Sequence, residues 1–140
     1  MDEAKSERLT LRALQKVQAG DTPADAWLET LKEHYPVEML ANQVKHSCPK
    51  WAFCILCHYG HVRGVKSGCC PKAEESSSAA YTLKALDVLR SDPSLARDKK
   101  ELKRMVFGSP NTPEYRTPND EVEVLLALWE ADAIELQGNV

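Results

Sequence analysis

The chain has 140 residues, 43% hydrophobic and 28% charged, with a formal net charge of −3. That length fits one domain with a core of its own, and the balance is that of an ordinary globular protein rather than a disordered or strongly nucleic-acid-binding chain. No apolar run approaches the roughly 18 residues of a membrane span, and MDEAKSERLT shows neither a basic n-region nor an apolar h-region, so no membrane contact and a cytoplasmic location are expected.

Residues 5–19 read as a first helix, with Leu9, Ala13, Leu14 and Val17 at helical spacing and Gly20 closing it. Thr22-Pro23-Ala24-Asp25 then signals a start: a cap, a proline where its missing N–H costs nothing, and an acid in the first turn. Ala24, Trp27, Leu28 and Leu31 form the stripe of this second helix. Pro36 opens a third, with Val37, Leu40, Ala41 and Val44 on one face, and Pro49 a fourth.

Residues 63–77 carry two glycines, a proline and clustered polar side chains, which predicts a flexible loop. Ser77 or Ser78 begins a fifth helix, with Ala79, Leu83 and Leu86 together. Ser91-Asp92-Pro93 restarts a sixth, placing Leu95, Leu102, Met105 and Val106 inward. Thr117-Pro118-Asn119-Asp120 starts the last, whose stripe is Val122, Leu125, Leu126, Trp129, Ala133 and Leu136. The acids Asp120, Glu121, Glu123, Glu130 and Asp132 read as its solvated face. No strand-like alternation persists, so the expected architecture is all-α. It is a single domain over residues 1–140, an irregular bundle of six to seven short helices.

The chemistry-bearing residues gather in CPKWAFCILCHYGHVRGVKSGCC, residues 48–70, which holds all five cysteines. An odd, clustered count without a secretory signal favours reduced thiols. Wound as a helix, Cys54, Cys57, His58 and His61 share a stripe beside the apolar arc of Trp51, Ala52, Ile55 and Leu56. Core packing explains Cys54 and Cys57, since free cysteine behaves as a small hydrophobe. The alternative is a structural zinc ion held by Cys54, Cys57, Cys69 and Cys70, with His58, His61 and Cys48 as substitute ligands. A thiol-dependent redox or nucleophilic enzyme using Cys57, Cys69 or Cys70 is a further alternative. No oriented base and third group accompany these thiols, so no catalytic residue is assigned and no enzyme activity is expected.

Residues 39–73 hold five basic side chains (Lys45, Lys50, Arg63, Lys66, Lys72) and no acid. Such a segment would meet an anionic partner, nucleic acid included, but a solvated face accounts for it as well. The reading preferred from the residues is a protein-binding module: an adaptor, accessory or regulatory subunit.

PVEMLANQVKHSCPKWAFCILCHYG, ALDVLRSDPSLARDKKELKR and YRTPNDEVEVLLALWEADA together resemble an uncharacterised family of small bacterial all-helical domains. The likeness lies in a proline-preceded helix with a tryptophan and small or cysteine residues, a helix closing on a D-P pair, and a final tryptophan- or phenylalanine-containing helix. It implies that the helix of Trp51 to Tyr59 packs as core. The Cys69-Cys70 loop departs from the pattern, and the resemblance implies no activity.

Overall fold

Proline and short polar side chains cut the chain into helices at the expected places. The computed structural model describes residues 3–135. Its helices are α1 (Glu3–Gln18), α2 (Pro23–His34), α3 (Val37–Lys45), α4 (Cys48–His58), α5 (Ser77–Ser91), α6 (Lys99–Phe107) and α7 (Glu121–Glu130). Two 3-10 segments, Pro71–Glu75 and Pro93–Arg97, sit between them. Among the described residues the only β pairing is one isolated antiparallel bridge, Val62 to Ile134. The fold is all-α.

Thr22 caps α2 as its sequence implies, the hydroxyl accepting from the Asp25 N–H at 3.3 Å with Pro23 just inside the helix. α4 ends in a Schellman arrangement. Gly60, at φ 75°, donates to the Cys57 carbonyl at 3.1 Å and His61 donates to the Leu56 carbonyl at 2.9 Å. The helix therefore stops before His61, which lies off the stripe on which a continued helix would place it. α7 closes the same way, with Asp132 at φ 57° in the position a glycine usually holds. Leu136, the last position expected on its stripe, lies outside the described residues.

α7 is the centre of the molecule. Val122, Val124, Leu125 and Leu128 are fully buried, and α1, α4, α5 and α6 pack around them. A helix whose central stretch, Val124 to Trp129, is apolar on every side is stable only inside a protein. Around it one continuous core runs from Leu9 and Ala13 of α1 through Trp27, Phe53, Leu86 and Leu102 to Ile134. Trp27 and Phe53 meet at 5.6 Å between ring centroids, tying α2 to α4.

Five expectations are corrected once the helices pack. The sixth helix is interrupted at Asp98, whose carboxylate caps α6 by accepting from the Glu101 N–H, and Met105 is exposed rather than inward. α7 begins at Glu121, not at Pro118, because Asp120 adopts a left-handed conformation at φ 72°. Glu121 and Glu123 are buried, not solvated. The apolar stripe of α3 faces out. None of its nine residues is buried, and Val37 stays 85% exposed.

Candidate functional site

The cysteine-rich segment is built on α4, whose face Ala52, Phe53, Cys54, Ile55, Leu56 and Cys57 is buried in the core. The helix is thus a core helix first, and Cys54 and Cys57 are among its packing residues. The 63–77 segment does not stand away from it. Gly68, at φ 85°, donates its N–H to the His58 carbonyl at 2.7 Å. The Cys70 N–H donates to His58 Nδ1 at 3.0 Å, while His58 Nε2 lies 2.7 Å from Glu74 Oε1. An Nδ1 that accepts carries no proton, so the ring proton sits on Nε2 and is donated to Glu74. His58, a substitute metal ligand by sequence, is here a strap that pins the segment to the end of α4. The Pro71–Glu75 turn, anchored by buried Ala73, completes the attachment.

This folding-back brings the thiols together. Cys70 is buried, and its Sγ is 3.3 Å from that of Cys69. Cys54, Cys69 and Cys70 line one open cleft of about 310 Å³ with Lys50, Trp51 and Lys72. Lys50 Nζ lies 4.3 Å from the centre of the Trp51 ring.

Crowding and burial hold several thiols protonated. Burial pushes the Cys57 thiol far up, helped by the neighbouring Cys69 and Cys70. Burial and the bond to Cys70 push Cys69 up to about 12. Cys70 is raised by the neighbouring Cys54 thiol and then by burial. The thiolate is the nucleophilic and metal-ligating form, so all three are held in the less reactive state. Among the described residues no group of three or more His, Cys, Asp or Glu side chains is arranged to hold a metal ion. Cys48, at the start of α4, lies apart from the other thiols and lines a separate cleft with His46 and Asp120.

The structure divides the basic segment. Lys50 and Lys72 share the thiol cleft, Lys45 is on α3, and Lys66 is exposed in the turn before Gly68. Arg63 turns to the segment after α7, where its guanidinium reaches Asp132 at 3.5 Å and Glu135 at 3.8 Å. His61 Nδ1 faces Arg90 Nη2 at 3.2 Å, and the same nitrogen donates to the Glu135 carbonyl at 2.5 Å. His61 is therefore engaged with α5 rather than with the thiols.

A model of a family of unknown function (DUF6979) matches residues 4–135, which takes in α3, the cysteine segment and α7. The chain belongs to that family. No curated protein and no solved structure matches it. None of the described helices is long and apolar enough to cross a membrane.

Sequence reasoning missed two features. The first is the pair of buried acids. Glu121 is fully buried against Arg116 at 2.6 Å, and Glu123 against Lys103 at 2.5 Å. Their cations come from outside α7, so no local pattern announces them. The second is the outward stripe of α3, which carries Val37 and Val44, with Met39 exposed on another side of the same helix.

Proposed function

We propose that this protein works by binding another protein through the outward face of α3, as an adaptor, accessory or regulatory subunit. The observation that carries this reading is the exposure of a helix whose sequence is amphipathic. Val37 is 85% exposed, Met39 47% and Val44 46%, and only Leu40 of its large apolar residues packs against the core. Nine residues make too short a helix to persist on propensity alone, so packing at Leu40 holds it while its other faces meet water. A helix that presents apolar side chains at i, i+4 and i+7 has the form used for docking into a partner's groove or beside a partner's helix.

The test is affinity capture followed by mass spectrometry, comparing the wild-type chain with a Val37→Lys/Val44→Lys variant. Both side chains are exposed, so the variant keeps its helical circular dichroism. Loss of one or more captured proteins with the variant is the expected result. The same proteins recovered with both chains would sink the reading, as would recovery of nucleic acid alone, lost steeply as salt rises.

A further inference from the structure

We propose that α3 pairs with α3 of a second copy of this chain, antiparallel, across a twofold axis near Ala41 and Asn42. The inference rests on the reading of α3 as a docking face and names its occupant. At about 100° per residue, Val37, Ala41 and Val44 fall within about 60° of one another. Glu38 and Lys45 lie about 20° apart along one flank of that stripe. Both are exposed, and no ion pair among the described residues involves either. Seven residues separate them, about 10 Å along the axis at 1.5 Å per residue, too far to pair within one helix.

A twofold operation resolves this. A self-complementary interface must set residue i against j and j against i. Reversing a second α3 against the first sets Glu38 of each copy level with Lys45 of the other. Because the twofold axis is perpendicular to both helices, the two flanks lie on the same side of the interface. Two identical ion pairs form there. The same register sets Ala41 level with Asn42, where a small side chain lets the backbones approach. It also sets Val37 of one copy level with His46 of the other. A helix with unlike charges at its two ends on one flank fits its own inverse without further requirement. An unrelated partner would have to supply both charges at the right spacing.

The contact is short, about 13 Å of helix, so the dimer belongs to the weak, reversible class. Sedimentation velocity at low salt, over a dilution series reaching about 1 mM, reads it directly. A concentration-dependent dimer is expected. Glu38→Lys and Lys45→Glu should each weaken it by about tenfold through like-charge contact. The double variant Glu38→Lys/Lys45→Glu restores opposite charges and should recover wild-type affinity to within about threefold. A chain that stays monomeric throughout, or a dimer indifferent to the single exchanges, or a double variant that fails to recover, would each overturn the pairing. A monomer that loses a captured protein on Val37→Lys/Val44→Lys overturns the self-pairing and spares the docking face. A charge-sensitive dimer with unchanged capture supports the self-pairing and removes the separate partner.

Discussion

Replacing Arg116 with methionine should cost more than replacing Arg116 and Glu121 together. Glu121 is fully buried at the start of α7, its Oε2 2.6 Å from Arg116 Nη1 and its Oε1 accepting from the Asn119 N–H at 2.6 Å. Arg116 also donates to the Ser78 hydroxyl at 3.2 Å and lies 4.5 Å from the centre of the Tyr81 ring, which stacks on Phe107. One cation thus joins α7, α5 and α6. Arg116→Met keeps much of the apolar stem but leaves a buried carboxylate with a single N–H donor, a change that costs about 3–5 kcal/mol. The arginine side chain retains 21% exposure, so water follows it in and the lower end, about 3 kcal/mol, is expected. Adding Glu121→Gln removes the stranded charge while the amide oxygen still accepts from Asn119. The double variant should then recover about 1–2 kcal/mol relative to Arg116→Met. Urea unfolding followed by far-UV circular dichroism measures both differences, provided the slopes agree. A loss below about 1 kcal/mol for Arg116→Met, or a double variant less stable than the single, would refute the buried-pair account.

His61 titrates below its ordinary 6.5, first through burial and then through Arg90, with Asp87 pulling the other way. Its folded pKa lies under its unfolded one, so its contribution is fully present above about pH 6.5 and is lost as pH falls through the folded value. Stability should therefore drop between pH 7 and 5 more in the wild type than in His61→Gln; identical slopes would contradict the assignment. The thiols give a third readout. Cys69 is the exposed cysteine, yet its raised pKa should make labelling by a disulfide reagent slow at pH 7 and faster in alkali. Rapid labelling at pH 6 would show that a thiolate is present. Tag-free protein should carry less than about 0.2 equivalents of zinc, since a closed site needs four donors. Close to one equivalent, lost on Cys69→Ser/Cys70→Ser, would restore the metal centre.

Much of the fold is local chemistry and was legible in the residues. Thr22-Pro23 starts a helix whatever surrounds it, because a hydroxyl acceptor and a fixed φ act within one turn. Leu9, Ala13, Leu14 and Val17 share a face by period alone, and the core does take them. Period says which side chains share a face, but not what that face meets. Val37, Ala41 and Val44 form as regular a stripe as that of α1, yet it meets water because no element among the described residues covers it. Glu121 and Glu123 look like surface acids until Arg116, Lys99 and Lys103 arrive from other segments to make their burial tolerable. The cysteine segment divides along the same line. Its helix was readable from its apolar arc, whereas the return of Cys70 onto Cys54 depends on His58, Gly68 and Glu74 meeting across the chain. Side chains linked through one turn of backbone carry their outcome in the sequence. Those linked only through space acquire it when the helices pack.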